Sequence, residues 1–155
     1  MTADDTPQLS HLATIAVKVA TPIELGQTAQ GRRRIIPILG GTVSGPELRG
    51  KVLAGGADFQ LLTSDTVTEL EAKYAIRTEE GDHLYVDNFG IRTGSADDIA
   101  ALVRGERVDP SRVYFRCSPR ISASGEKWGW LGTRILVGVG ERLPDEVRLK
   151  VYVVD

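Results

Sequence analysis

The sequence predicts an all-β fold, an antiparallel β-barrel of about eight to nine strands with one short surface helix. Nine segments have the length of strands, and several alternate apolar with polar residues. Glycine and proline separate most of these segments, and the chain carries 17 glycines among its 155 residues. Because closure removes exposed strand edges, we expect a barrel ahead of the alternative, a β-sandwich.

The strand segments follow one another along most of the chain. They cover residues 9–19, 32–39, 51–54, 58–62, 67–78, 83–92, 113–117, 129–139 and 147–154. The turns between them include Gly40-Gly41, Gly55-Gly56, Glu80-Gly81-Asp82 and Leu143-Pro144-Asp145. Turns this short predict antiparallel neighbours, because parallel strands need crossovers of a dozen or more residues.

Only residues 94–112 are long enough to hold a helix between two strands. Ser95 stands three residues before Asp98, which is a weak capping-box pattern. Ile99, Leu102 and Val103 then fall on one helical face, and Gly105 is able to end the helix. The pattern predicts one short surface helix here.

Length and charge limit the classes of protein and partner. A chain of 155 residues is the size of one domain, so we expect residues 1–8 to form a flexible tail and residues 9–155 a single domain. The formal net charge of −2 creates no field that would collect nucleic acid or an anionic membrane. The one cysteine, Cys117, excludes an intrachain disulfide, and no signal-peptide pattern opens the chain, so we expect a cytoplasmic protein.

Several phrases of the sequence resemble a known family. They are Gly40 to Pro46 (GGTVSGP), Gly55 to Gln60 (GGADFQ), Ala72-Lys73-Tyr74, Tyr114-Phe115 and Trp130-Leu131. They resemble the bacterial and fungal domain of unknown function number 3237, over about residues 9–154. That family commonly has arginine at the position of Lys73, glutamate near Ser122 and asparagine at the position of Gly132. The resemblance implies a barrel like that of allene oxide cyclase, with a pocket, and it implies no particular reaction.

Asp58 and Tyr74 are the candidate catalytic residues. Asp58 follows two glycines and an alanine and is flanked by apolar residues, where a carboxyl group with a raised pKa would serve as a general acid or base. The alternative is that Asp58 caps the turn after Gly55-Gly56. Tyr74 shares the apolar face of its strand, so its phenol should point inward and donate to a substrate carbonyl or enolate. The alternative is a core tyrosine bonded to the backbone.

Five further residues are candidates for substrate binding. Gln60 belongs to the same phrase as Asp58. Arg116 shares its face with Tyr114, and a guanidinium beside a phenol can hold a carboxylate, although a structural ion pair is equally expected. Trp128 and Trp130 share one face of a predicted strand and would form an apolar wall if inward, with core packing as the alternative. Arg32, Arg33 and Arg34 alternate between faces, which favours surface charge; the alternative is that one of them lies at the barrel mouth and orients an anionic substrate.

No metal or cofactor is predicted. His11 and His83 lack companions at metal-ligand spacing, and Cys117 is expected to be a small buried apolar residue without a base beside it. Gly138-Val139-Gly140 lacks the third glycine and the strand-then-helix context of a dinucleotide site, and no phosphate-loop pattern with lysine occurs.

Two functions remain open at this point. The first is a cofactor-independent isomerase, cyclase or lyase that uses acid–base chemistry on a small apolar carbonyl or polyketide-like compound. The second is a non-catalytic carrier barrel of lipocalin type that binds such a molecule.

The strand predicted over residues 32–39 is apolar on both faces, because Ile35 and Leu39 lie opposite Ile36 and Ile38. Since one barrel interior can bury only one of these faces, the pattern predicts a homodimer.

Overall fold

The structure, a computed structural model, describes residues 5–155 and consists mainly of β-strands. The predicted tail, residues 1–8, therefore lies partly outside the described residues. The ten strands are β1 Leu9–Val19, β2 Ile23–Gln27, β3 Arg32–Ser44, β4 Arg49–Val52, β5 Ala57–Leu62, β6 Val67–Thr78, β7 His83–Thr93, β8 Tyr114–Ala123, β9 Leu136–Arg142 and β10 Glu146–Val154. One α-helix, α1, spans Ala96–Val103, and short 3₁₀ helices span Pro110–Arg112 and Gly129–Thr133.

The strands form a closed antiparallel barrel of eight rows. The rows run β1-β10-β9-β8-β7-β6, then β4 and β5 end to end, then β3. The barrel closes because β3 pairs with β1 from Ile38 to Ser44. Strand β2 pairs only with β3 and lies outside the eight rows. The prediction of an all-β antiparallel barrel with one short helix is confirmed.

Alternation along each strand separates a buried interior from the outer surface. On β6, Leu70, Tyr74 and Ile76 are buried, whereas Glu71 is exposed and forms an ion pair with Lys73 at 3.6 Å. The same alternation fills the interior from the other strands with Val, Ile and Leu side chains. The alternation of residues 67–78 therefore predicted the bounds and the orientation of β6 correctly.

The sequence pattern predicted a turn at Gly40-Gly41, and this was wrong, because the double glycine does not end the strand. Strand β3 continues through both residues to Ser44, with φ angles of +154° and +148°. At this point β3 exchanges β5 for β4 as its partner on one side, and the ladder with β1 has an irregularity at Lys18/Val19. The two glycines thus allow a bend in a long strand where the barrel changes partners.

Two segments differ from their predicted conformation for identifiable reasons. Strand β2 was missed because Ile23 and Leu25 are both about half exposed and show no contrast between faces. Residues 129–133 were predicted as strand but form a 3₁₀ helix. Its N-cap residue Trp128 and Leu131 are buried, and Trp130 is 41% exposed. Burial at a spacing of three residues is the period of a 3₁₀ helix and not of a strand.

Helix α1 covers one end of the barrel, here called the helix end. Ile99 and Leu102 pack with Leu62 of β5 and with Val108 from the segment after the helix. The Ser95 side chain accepts a hydrogen bond from the Asp98 N–H at 3.1 Å, so the predicted capping residue and helix are confirmed. These contacts cover the helix end with apolar side chains.

Replacing Ser95 by alanine should reduce the free energy of unfolding by about 1 kcal/mol, the usual cost of losing an N-cap oxygen. The helix has only eight residues, so it has few other interactions to offset this loss. Urea denaturation checks the size of the effect, with the exposed β8 residue Ser122 changed to alanine as the control. Equal midpoints for the two variants would contradict the capping role.

The outer surface carries large apolar side chains, as the dimer prediction requires. Leu39 is 59% exposed, opposite the buried Ile36 and Ile38. Exposed apolar residues also occur across the outer faces of β5, β7, β8 and β9: Phe59, Phe89, Ile91, Tyr114 and Val139. The homodimer and the single-domain organisation both stay predictions. Among residues 5–155, no helix is long and apolar enough to cross a bilayer.

Candidate functional site

The candidate site lies inside the barrel on β5, β6 and β7. Asp58 and Gln60 of β5 both point inward and are 8% and 1% exposed. Gln60 Nε2 donates a hydrogen bond to Asp58 Oδ2 at 2.9 Å. Gln60 Oε1 in turn accepts from Arg34 Nη1 at 3.2 Å. Because its side chain is held inside the barrel by Gln60, Asp58 is not the turn cap that was its alternative role.

Asp58 and Tyr74 line one small cavity. Its walls are otherwise almost entirely apolar: Val17, Val19, Ile38, Leu70, Ala72, Asn88, Gly90, Phe115, Cys117, Val147 and Leu149. The cavity has a volume of about 30 Å³, which is room for one or two waters. The sequence prediction that Tyr74 points inside is therefore confirmed, and the same cavity receives Asp58.

Among residues 5–155, five residues have buried polar side-chain atoms without a hydrogen-bond partner, and three of the five line this cavity. The atoms are Asp58 Oδ1, Thr68 Oγ1, Tyr74 Oη, Asn88 Oδ1, and Nε and Nη1 of Arg92. All of them project from three neighbouring strands, β5, β6 and β7. Unsatisfied buried polar atoms are few in folded proteins, and such a cluster indicates a place where water or a ligand supplies the missing partners.

The enclosed setting shifts the proton affinities of these groups. Burial raises the pKa of the Asp58 carboxyl above its usual range, outweighing the opposite effects of the Gln60 hydrogen bond and the Arg92 charge. Burial also raises the pKa of Tyr74, so the phenol stays protonated and able to donate. The same cause lowers the pKa of Arg92 to about 10, which leaves the guanidinium charged at neutral pH. The site thus combines a carboxyl group poised to exchange a proton with two potential donors.

Three buried arginines stand at the helix end, near Asp58, and sequence reasoning did not find this group. Arg34, Arg92 and Arg142 are 3%, 1% and 8% exposed. Arg34 was predicted to be surface charge, and this was wrong because its alternation places it with the inward Ile36. Arg92 follows the inward residues of β7 at a spacing of two, and that alternation was the one available signal.

Tyr114 and Arg116 lie on the outer face of β8, away from the cavity. Tyr114 is 55% exposed, and the Arg116 guanidinium stacks over its ring at 5.2 Å. They do not line this cavity, since the inward face of β8 belongs to Phe115 and Cys117, and their role in substrate binding stays a prediction. Cys117 is buried as predicted, and burial raises the pKa of its thiol.

The two tryptophans lie at the other end of the barrel and do not share one strand face. Trp128 is buried in the core, and the Trp130 ring stands 6.4 Å from it near an outer groove with His11 and Leu48. The predicted shared strand face is wrong, because residues 129–133 form a 3₁₀ helix. Trp128 packs in the core, both rings line the outer groove, and a substrate-binding role for them stays a prediction. His83 is exposed at the start of β7, and within residues 5–155 no cluster of three His, Cys, Asp or Glu side chains could hold a metal ion.

Comparison with known proteins places this barrel in a family. The profile of the family described as "protein of unknown function (DUF3237)" matches residues 7–154. The chain belongs to the DUF3237 family. The UPF0311 protein of Rhodopseudomonas palustris is 41% identical over 147 residues, 95% of this chain and 96% of that one. The family resemblance read from the sequence is thereby confirmed.

Solved structures share the fold of this DUF3237 member. The crystal structure of a conserved protein of unknown function from Rhodopseudomonas palustris has a TM-score of 0.93 at 41% identity, covering 97% and 99% of the two chains. A β-barrel-like protein from Acinetobacter baumannii has a TM-score of 0.85 at 36% identity, covering 97% of each chain. An enzyme from Penicillium herquei has a TM-score of 0.72 at 18% identity over the full length of both chains, which shows the fold alone.

Proposed function

We propose that this protein is a cofactor-independent enzyme that moves a proton on a small carbonyl compound bound inside the barrel. The observation that carries the proposal is the shared cavity, into which the Asp58 carboxyl and the Tyr74 phenol both present an atom without a partner. A carboxyl group with a raised pKa and a protonated phenol are the two groups that enolisation requires. The reaction class is isomerisation, cyclisation or elimination.

The chemical step follows from the two groups. The Asp58 carboxylate takes a proton from the carbon next to the substrate carbonyl, the C–H electron pair forms a C=C bond, and the π pair of the carbonyl moves onto its oxygen. Tyr74 Oη donates a hydrogen bond to that oxygen, which stabilises the enolate. Asp58 then returns the proton to a carbon of the enolate, so the atoms balance without an oxidant or a reductant. Gln60 is a positioning residue, because its hydrogen bond at 2.9 Å orients Asp58.

The apolar walls suit a compact and largely apolar substrate. The cavity holds only one or two waters in this conformation, so a larger substrate requires the helix end to move outward. The Penicillium herquei protein with the same fold is described as an enzyme, so in at least one protein this architecture supports catalysis. The alternative function, a carrier barrel, would use the same cavity without a chemical step.

Proton exchange into D₂O tests the proposal with neutral probes. We expect the protein to accelerate deuterium incorporation next to the carbonyl of acetone, 2-butanone or acetophenone, followed by NMR. Asp58→Asn should reduce this rate by about 100-fold or more, as loss of a general base does. Tyr74→Phe should reduce it by about 10- to 1,000-fold. The rate should rise with pH through an apparent pKa above that of an ordinary aspartate, because the carboxylate is the active form.

Matched controls separate catalysis from binding. The exposed Asp65→Asn variant should exchange at the wild-type rate. A protein that binds these ketones but gives no exchange above the Asp58→Asn background would be a carrier, and the enzyme proposal would fall. The predicted dimer and the cytoplasmic location are independent of this result, and light scattering at several protein concentrations tests the dimer.

A further inference from the structure

We propose that Arg92 binds a carboxylate group of the substrate, so that the ligand is a small organic anion with its carbonyl directed toward Asp58. The direction of the carbonyl toward Asp58 rests on the proposed function. The binding of a carboxylate by Arg92 depends only on the buried arginines. It assigns a binding role at the helix end to a residue on β7 that lies outside the acid–base pair.

Arg92 is the unpartnered member of the three buried arginines. Arg34 donates to Glu24 Oε1 at 2.8 Å, to Gln60 Oε1 and to the Val103 carbonyl oxygen. Arg142 donates to the carbonyl oxygens of Leu143 and Glu146. Within residues 5–155, Nε and Nη1 of the Arg92 side chain are buried without a hydrogen-bond partner, and its guanidinium faces the Phe115 ring at 5.5 Å. Because the Arg92 side chain is 1% exposed, these two donors are not satisfied by bulk water, which indicates that a ligand supplies their acceptor.

The charges around Arg92 point to an anion as that ligand. The positive charges of Arg34 and Arg142 act on Arg92, and Asp58 is the negative group that acts on it. Glu24 is already engaged by Arg32 and Arg34. Arg34 is paired with Glu24, and Asp145 as well as Asp58 acts on Arg142. Arg92 is therefore the arginine whose one acidic influence is Asp58, a group whose own burial favours its neutral form. A buried excess of positive charge is costly, and a bound carboxylate would neutralise it.

A narrow gap lies beside Arg92 at the helix end. Its volume is about 10 Å³, room for at most one water, and it is lined by Arg92, Arg142 and Glu141 with Leu102 and Val108, so a carboxylate enters only if Leu102 and Val108 move outward. Phe115 lines both this gap and the cavity of Asp58 and Tyr74. A guanidinium fork matches a carboxylate in hydrogen-bond geometry. A carboxylate at Arg92 would thus leave the rest of a short ligand in the apolar cavity beside Asp58.

Calorimetric titration with pyruvate tests the site, with pyruvamide as the neutral counterpart. We expect saturable pyruvate binding to the wild type, and pyruvamide binding weaker by about 10-fold or more, since hydrogen bonds to charged groups are the strong ones. Arg92→Met should weaken pyruvate binding by about 10- to 100-fold. Arg92→Lys should keep part of the affinity, because it keeps the charge and loses the fork.

The control is Arg120→Met, which removes an exposed arginine from β8 and should bind pyruvate like the wild type. Thermal melting shows that each variant is folded, and Arg92→Met should melt at or above the wild-type temperature because it removes a buried unpaired charge. Inorganic phosphate and chloride are titrated in parallel. Binding of these ions with no preference for pyruvate would overturn the assignment of an organic carboxylate.

The failures of the two proposals are distinguishable. If pyruvate binds the wild type and Asp58→Asn but not Arg92→Met, and neither bound pyruvate nor bound neutral ketones show deuterium exchange, the anion site stands and the enzyme proposal falls. If neutral ketones exchange through Asp58 while Arg92→Met leaves pyruvate affinity unchanged, the enzyme proposal stands and the anion site falls. Absence of saturable binding by pyruvate, acetate and benzoate would likewise overturn the anion site.

Discussion

Gly41→Ala is expected to destabilise the barrel by roughly 3 kcal/mol or more, a large part of the total for a domain of this size. Gly41 has φ +148°, a backbone conformation that residues with a Cβ rarely adopt. A Cβ placed there would lie 2.0 Å from the Ala16 carbonyl oxygen of β1. This contact belongs to the β1–β3 pairing that closes the barrel, so neither backbone can retreat without opening the ladder. Urea denaturation followed by circular dichroism measures the loss.

Two other glycines separate the clash from the backbone strain. Gly81→Ala has the same kind of positive φ, +98°, but open space around its Cβ, so it reports strain alone. Gly129→Ala has open space and no positive φ, and it should be close to neutral. We expect hydrogen exchange in β1 and β3 to accelerate in Gly41→Ala only. A midpoint for Gly41→Ala equal to that of Gly81→Ala would show that the close approach to Ala16 carries no cost.

Asp58→Asn is expected to make the barrel more stable than the wild type, and increasingly so as the pH rises. Burial raises the folded-state pKa of Asp58 above the unfolded value of 3.8, so between the two values the folded state holds more protons than the unfolded state. The stability that neutral Asp58 contributes is present below the unfolded pKa and is lost as the pH rises through the folded pKa. Asparagine stays neutral at every pH and does not lose it.

Thermal melts of both proteins from pH 4 to pH 8 measure this difference. The gap in unfolding free energy should widen by at most about 1.4 kcal/mol per pH unit, the limit for one proton. It should become constant above the folded-state pKa of Asp58. Asp65→Asn, at an exposed turn, should show no such trend. A variant that becomes less stable than the wild type as the pH rises would mean that the arginines hold Asp58 ionised. If Asp58→Asn is more stable than the wild type and also loses deuterium exchange into ketones, the Asp58 carboxyl group is retained for activity and not for stability.

Local patterns predicted those features whose cause is local. The alternation of residues 67–78 defined β6 and the inward direction of Tyr74, because one face of that strand is apolar and the other charged. Ser95 and Asp98 marked the start of α1 through a contact three residues apart. The two glycines and the alanine before Asp58, with the apolar residues after it, predicted that its carboxyl group is buried.

Patterns failed where both faces of a segment have similar polarity. On β8 the aromatic residues Tyr114 and Phe115 occupy opposite faces, so alternation separated them correctly but did not show which face is inside. Strand β2 is exposed on both sides, and its position depends on pairing with the first residues of β3. The burial of Trp128 with Leu131 reflects a core contact at one end of the barrel, which no short window of sequence contains.

The sequence by itself determined the all-β class, the short helix and the inward positions of Asp58 and Tyr74, because these depend on patterns within one strand or turn, and the phrases shared with the DUF3237 family predicted the barrel. Only the tertiary structure decided that Arg34, Arg92 and Arg142 meet near Asp58. These arginines come from β3, β7 and β9, up to 108 positions apart, and an arginine at an inward position looks the same in sequence as one at the surface. Their charges act together only because barrel closure removes the water that would screen them.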